Sequence, residues 1–294
     1  ARMNAMETTP RRKLIEVREL EVSFAVRRGA EKHKRVRAVD GVTLDVYEGE
    51  TLAVVGESGC GKTTLGKAVL NIIPPSAGKI LYRGAELAAL KKGDMQRLRS
   101  RLQLIYQDPY ESLNPGQSVR QTLLEPLMIH RRDLSEGEKR ALILKQLESV
   151  GLQPAELYLD SLPHHLSGGQ RQRLSIAASM MLEPEFVVAD EPVSMLDVSI
   201  RAEILALMLE LQKSRRLTYL FISHDLSLTW MIADRIAVFY LGKMVELGPA
   251  QSVVHAGAHP YTRALVSVIP RMEGAANPEE RHVLSGETPS ATDI

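Results

Sequence analysis

Apolar and polar residues alternate along two early stretches, Leu20 to Phe24 and Val42 to Tyr47, and a period of two predicts strands with one buried face. Leu14-Ile15-Glu16-Val17-Arg18 alternates in the same way. Between the strands, residues 25 to 36 hold a cluster of Arg and Lys with one glycine, the composition of a solvated hairpin loop. An antiparallel β layer is therefore expected at the front of the domain, with residues 1 to 13 as a loose leader. Further on the pattern changes. Thr51-Leu52-Ala53-Val54-Val55 is largely apolar and runs straight into a Gly-rich turn and a helical stretch, as a strand buried on both faces of a parallel sheet does. Similar runs recur at Leu102 to Tyr106, Phe186 to Ala189, Tyr219 to Ile222 and Ile236 to Tyr240. Residues 118 to 150, between the runs at Leu102 to Tyr106 and Phe186 to Ala189, read mostly as polar amphipathic helix. The pattern predicts an α/β core with a helical subdomain inserted over about residues 108–168.

Composition narrows the function classes. With 44% hydrophobic and 25% charged residues in 294, the chain is long and apolar enough for a full core. The 37 basic and 36 acidic side chains nearly cancel, to a formal +1, so no nucleic-acid or anionic-membrane partner is expected from charge. The single cysteine, Cys60, predicts neither an intrachain disulfide nor an all-cysteine metal or iron–sulfur site, and fits a reducing cytosol. Arg11-Arg12-Lys13 precedes an alternating stretch rather than an apolar block, unlike a signal peptide. Every apolar run is broken well short of the roughly 18 residues that span a bilayer. A role at a membrane would require other proteins to hold the chain there.

Gly56-Glu57-Ser58-Gly59-Cys60-Gly61-Lys62-Thr63 matches G-x-x-x-x-G-K-[ST] directly after a buried strand and at the opening of a helix, the context that a phosphate-binding loop requires. Glycines let backbone N–H groups converge on phosphate oxygens, and the helix N-terminus favours the anion. Lys62 would reach the β- and γ-oxygens, and Thr63, with Thr64 behind it, would face Mg²⁺. Cys60 occupies a variable position of the loop, where a small tolerated residue is the simpler reading than a redox switch. Phe186-Val187-Val188-Ala189-Asp190 is an apolar strand ending in an acid, followed by Glu191. Alone, the two acids could merely cap the turn at Pro192. With the loop upstream, Asp190 becomes the metal-side carboxylate and Glu191 the group that polarises an attacking water.

Leu166-Ser167-Gly168-Gly169-Gln170 by itself would be a common helix start. Placed between the phosphate loop and the acidic strand, it resembles the signature motif of ABC ATPases. Gln107 resembles that family's Q-loop glutamine, Ser194-Met195-Leu196-Asp197 its D-loop, and His224 its switch histidine, all in the family's order. The resemblance implies a P-loop ATPase of ABC type that binds ATP with Mg²⁺ held near Thr63, Gln107 and Asp190. It also implies that Ser167, Gly168, Gly169 and Gln170 close on a nucleotide held by a second ATPase chain, with Asp197 at the dimer interface and His224 at the γ-phosphate. Phe24 and Tyr47 are both aromatics available for adenine stacking; family position favours Phe24, and either could be core.

Finer features are similar to the ATP-binding subunits of dipeptide and oligopeptide importers, a branch whose members also take nickel or oligosaccharides. They are Gln107-Asp108-Pro109-Tyr110-Glu111-Ser112-Leu113-Asn114-Pro115, Glu191-Pro192-Val193-Ser194, His224-Asp225-Leu226 and His259-Pro260-Tyr261-Thr262-Arg263-Ala264-Leu265. The likeness runs from about residue 14 to 288, implying an ATPase domain over 14–246 and an importer-type extension over 247–294. Tyr110 with Gly59-Cys60-Gly61 points to the F-type member of a pair of ATPase chains. Departures are Met195 where the D-loop usually has alanine, Ala178 where arginine is common, and no cysteine cluster after Ser285-Gly286-Glu287. The resemblance implies a peripheral protein on the cytoplasmic face of the membrane. Its partners would be two transmembrane permease subunits and a sister ATPase or second copy, served indirectly by an extracytoplasmic solute-binding protein, with peptide as the cargo. A soluble ABC ATPase acting on nucleic acid or ribosomes is the rival from another class, opposed by the neutral charge and the importer-like tail. A non-hydrolysing scaffold is opposed by Glu191, His224 and Ser167, and a simple kinase lacks an acceptor-binding pattern.

Overall fold

The structure, a computed structural model, describes residues 11–25 and 35–267. Most of the expected leader, residues 26–34 of the expected loop and the end of the extension lie outside them. Strands β1 (Lys13–Ala25) and β2 (Arg35–Tyr47) are antiparallel, with Val17 opposite Leu44 and Val22 opposite Val39. Both strands are longer than the alternating segments predict, and Ala25, Arg35 and Val36 are strand rather than loop. β3 (Thr51–Val55) leads through the Gly-rich turn into α1 (Lys62–Val69). β4 (Ala77–Tyr82) and β5 (Ala85–Glu86), which the sequence pattern does not predict, complete a four-stranded sheet of order β2-β1-β4-β5.

Past α2 (Lys92–Arg99) and β6 (Leu102–Ile105), the inserted helices are α3 (Pro109–Ser112), α4 (Val119–His130) and α5 (Glu136–Ser149), with α6 (Gly168–Met180) leading back to the sheet. The expected helical stretch over 118 to 150 is two helices, because Ser135 starts a new one: its hydroxyl accepts from the Glu138 amide while the Glu138 carboxylate accepts from the Ser135 amide. Ser118 with Gln121, and Ser167 with Gln170, form the same reciprocal cap at α4 and α6.

The remaining elements are β7 (Phe186–Asp190), α7 (Val198–Arg215), β8 (Thr218–Ser223), α8 (Leu226–Thr229), β9 (Arg235–Tyr240), β10 (Lys243–Pro249), α9 (Ala250–Ala256) and α10 (Pro260–Ser267). The second sheet has the order β10-β9-β3-β8-β7-β6; β3, β6, β7, β8 and β9 are parallel, and β10 runs antiparallel to β9. β10 crosses the expected domain boundary at residues 246/247.

Alternation places successive residues of one strand in two different cores. Val187, Ala189, Tyr219 and Phe221 pack with the inserted helices and α7, whereas Phe186, Val188, Leu220 and Ile222 pack with α1 and the antiparallel layer. A third cluster joins Ala53, Val55, Ile236 and Val238 to Val253 of α9 and Tyr261 of α10. Strands sandwiched this way carry almost no polar surface, which is why they read as continuous apolar runs. Parallel pairing brings the carboxyl ends of β3, β6, β7 and β8 to one edge, where open α/β sheets bind ligands.

Candidate functional site

The turn after β3 is shaped by its glycines. A Cβ on Gly61, whose φ is 104°, would lie 1.9 Å from the Ala38 carbonyl oxygen, and one on Gly56 would lie 2.2 Å from that of Phe239. Only glycine permits these approaches. Lys62 is buried at 5% exposure, and its Nζ donates to the Gly56 and Glu57 carbonyls at 2.8 and 2.7 Å. The ammonium is therefore held at the loop by weak neutral acceptors, which a phosphate would outcompete. Cys60 is buried beside it, and burial pushes its thiol above the ordinary value. Its backbone is hydrogen-bonded within the protein, the N–H to the Glu57 carbonyl at 3.4 Å and the carbonyl to Gly242 N–H at 3.0 Å.

Beneath the loop the Thr63 hydroxyl donates to Asp190 Oδ1 at 3.0 Å. Burial, and more weakly the neighbouring Glu191 charge, raise the Asp190 carboxyl above its usual range, against the lowering effect of that hydrogen bond. The Thr63 hydroxyl and the Asp190 carboxylate are hard oxygen donors of the kind that suit Mg²⁺, which typically takes one or two carboxylates and completes its shell with phosphate and water; Gln107 lines the same cleft as Thr63, with its amide nitrogen on Glu191. Among the described residues no group of three or more His, Cys, Asp or Glu side chains could hold a metal by itself.

Glu191 follows β7 in a left-handed conformation, φ 46°, and its amide donates to the Ile222 carbonyl at 2.9 Å. This bends the chain across the end of β8. Glu191 Oε2 accepts from Gln107 Nε2 at 3.1 Å and lies 2.9 Å from His224 Nδ1. Three residues from the ends of three strands thus meet on one carboxylate oxygen. With most of the loop, they line one cleft of about 600 Å³: Gly56, Glu57, Ser58, Gly59, Gly61, Lys62, Thr63, Thr64, Gln107, Glu191 and His224.

Ala38 and Leu265 also line the cleft, and the Tyr261 hydroxyl accepts the Glu57 N–H at 3.0 Å. None of these three is a site candidate from sequence: Ala38 lies on a separate strand before the loop, and nothing local marks Tyr261, 204 positions from Glu57, or Leu265 as a neighbour of the loop. The other candidates stand apart from the cleft. Phe24 is exposed near the end of β1, and Tyr47 lies under the Arg235 guanidinium, 5.2 Å from its ring centroid. Ser167, Gly168, Gly169 and Gln170 open α6, and Asp197 stands at the residue before α7 with no side-chain cap hydrogen bond; close by, Met195 and Val198 are 65% and 79% exposed.

The profile of the ABC transporter family matches residues 39–194, the span from β2 through the Gln107, Ser167 and Glu191 motifs. The chain belongs to the ABC transporter ATPases. As an ABC ATPase it binds ATP and hydrolyses it. A second profile, that of the oligopeptide/dipeptide transporter C-terminal region, matches residues 245–294. The dipeptide transport ATP-binding protein DppF of Escherichia coli is 44% identical over 292 residues, 98% of this chain and 85% of that one. The oligopeptide transport ATP-binding protein OppF of Bacillus subtilis is 42% identical over 94% of this chain and 92% of its own, in keeping with the expected F-type member of the branch. Among solved structures, cbiO1 of Clostridium perfringens, part of the ABC transporter complex cbiONQ, superposes with a TM-score of 0.71 at 26% identity, covering 83% of this chain and 91% of that one. No helix of this ABC ATPase is long and apolar enough to cross a membrane among the described residues.

Proposed function

We propose that this ABC ATPase energises the import of dipeptides or oligopeptides, working at the cytoplasmic face of a membrane beneath two permease subunits and beside a second ATPase chain. The observation that carries the ATPase site is the meeting of Gln107 and His224 on Glu191 Oε2 at the mouth of the phosphate loop. The peptide assignment is supported by the match of residues 245–294 to the C-terminal region of oligopeptide/dipeptide transporters and by relatives such as DppF and OppF.

In the proposed cycle, Lys62 leaves the Gly56 and Glu57 carbonyls for the β- and γ-phosphates of ATP, while the loop amides enclose the phosphate chain. Thr63, Asp190 and Gln107 would hold Mg²⁺, which would supply positive charge to neutralise the phosphates. The Glu191 carboxylate orients the attacking water and takes its proton. Gln107 and His224, hydrogen-bonded to its Oε2, keep the carboxylate aimed, and His224 adds a donor near the γ-phosphate. Ser167 to Gln170 lie outside this cleft and would serve the nucleotide of the partner chain, with Asp197 beside them. The exposed apolar side chains of Met195 and Val198 are ones that such a chain would cover. Closure of the two chains on ATP and reopening after hydrolysis would drive the permease, a ligand-driven population shift. The solute-binding protein outside the membrane would select the peptide, which never touches this chain.

The test is affinity capture of the chain carrying Glu191→Gln from its native membranes. Recovery of two multispanning subunits, a second ATPase and a receptor loaded with peptide is the expected result. A receptor loaded with nickel or an oligosaccharide would reassign the cargo; ribosomal or nucleic-acid proteins without membrane partners would overturn the importer reading.

A further inference from the structure

The C-terminal segment reaches back to the phosphate loop. β10 carries Glu246, whose carboxylate accepts the Ala258 and His259 amides at 2.8 and 3.1 Å and so fixes the start of α10. From that helix Tyr261, buried at 3% exposure, packs its ring against Tyr240 with centroids 4.5 Å apart. Its hydroxyl accepts the Glu57 N–H at 3.0 Å. One turn on, Leu265 lines the nucleotide cleft.

The peptide unit that Tyr261 grips is the one between Gly56 and Glu57. Its N–H end is held by the Tyr261 hydroxyl, and its carbonyl end, the Gly56 oxygen, accepts Lys62 Nζ at 2.8 Å. A peptide group is planar, so fixing the N–H direction also fixes the carbonyl direction. The orientation of the acceptor that parks the phosphate-binding lysine is therefore set from outside the loop. Burial pushes the Tyr261 phenol up to about 12, so the hydroxyl is neutral at neutral pH.

We propose that Tyr261 is a positioning residue of the nucleotide site, pinning the Gly56–Glu57 peptide so that Lys62 is held ready for the β- and γ-phosphates. The C-terminal region thereby becomes a structural part of the ATP site, coupled to the loop through one hydrogen bond. The inference rests on the assignment of the cleft to ATP.

Tyr261→Phe keeps the ring and its packing on Tyr240 and removes only the acceptor. The full chain is titrated with ADP and with AMP by calorimetry, steady-state ATP hydrolysis is measured, and thermal melting confirms that the variant is folded. Losing one backbone-directed hydrogen bond of ordinary strength is expected to weaken ADP about 3- to 10-fold, with the KM for ATP rising in step and kcat within about twofold. AMP, which lacks the phosphates that Lys62 reaches, is expected to bind within about twofold of the original chain, as is ADP to the control Tyr240→Phe, since Tyr240 packs on the Tyr261 ring and does not line the cleft. A change in ADP affinity of less than twofold, an equal loss for AMP, or a fall in kcat with KM unchanged overturns the positioning role. Failure of the unaltered chain to bind ADP at all overturns the nucleotide assignment and this inference with it, so the two failures are distinguishable.

Discussion

Glu191→Gln is expected to separate ATP binding from ATP hydrolysis. Glutamine preserves the size of the side chain, and its carbonyl oxygen still accepts from Gln107 Nε2, now 3.1 Å from Glu191 Oε2. It also tolerates the left-handed backbone at this position no worse than glutamate does. What it cannot do is take a proton from water. General-base catalysis contributes about 10²- to 10⁴-fold, which raises the barrier by about 2.7 to 5.5 kcal/mol, and kcat is expected to fall by that factor. Binding moves the other way. Burial raises the Asp190 carboxyl first, the Thr63 hydroxyl lowers it, and the Glu191 charge raises it further. Removing that charge shifts Asp190 back toward the ordinary carboxylate range, so it ionises more readily and ATP affinity with Mg²⁺ is expected to hold or tighten. Phosphate release at saturating ATP measures the first effect, and calorimetric ATP titration the second. A fall in kcat of less than tenfold would refute the assignment of Glu191 as base; a tenfold loss of affinity would show instead that the carboxylate mainly holds the nucleotide.

Further expectations concern the loop and the scaffold. Gly61→Ala places a Cβ 1.9 Å from the Ala38 carbonyl at a φ of 104°, and is expected to abolish measurable ADP binding while destabilising the chain by about 2 to 4 kcal/mol; ADP titration and denaturant melts check both, and near-normal binding would contradict the loop geometry. Cys60, buried with its thiol raised, is expected to react with iodoacetamide at least about tenfold more slowly than a free thiol at pH 8, and rapid labelling by mass spectrometry would reopen the redox reading. Arg235 pairs with the buried Glu50 carboxylate at 3.2 Å, so Arg235→Ala is expected to cost about 3 kcal/mol in urea unfolding at pH 7. Burial raises Glu50 above its unfolded value, which makes the protonated form the better tolerated one in the folded chain. The deficit of Arg235→Ala is therefore expected to shrink as pH falls into the carboxyl range, and a deficit that grows there would refute the pairing argument.

Much of the site could be read along the chain because it is made of contiguous residues. The phosphate loop uses consecutive backbone amides, so Gly56 to Thr63 carries its own pattern, and Ser167 with Gln170 caps α6 through a contact that spans three residues. The buried strands could be read for a related reason, since a strand covered on both faces leaves no polar positions to blur it. The extent of the hairpin strands, β4, β5 and β10 could not, because their residues are mixed in polarity and become strand only by pairing with a neighbour that the sequence does not name. The same limit applies to the chemistry. Gln107 and His224 stand 84 and 33 residues from Glu191, and their motifs identify them singly, but only the order β3-β8-β7-β6 places them on one carboxylate oxygen. Tyr261 marks the boundary most sharply. Its motif is legible as part of a C-terminal extension, yet its grip on the Glu57 amide depends on β10 and α10 folding back over the sheet edge. Local backbone geometry is written in neighbouring residues; which distant residue satisfies a given loop donor is decided by packing, and that required the tertiary structure.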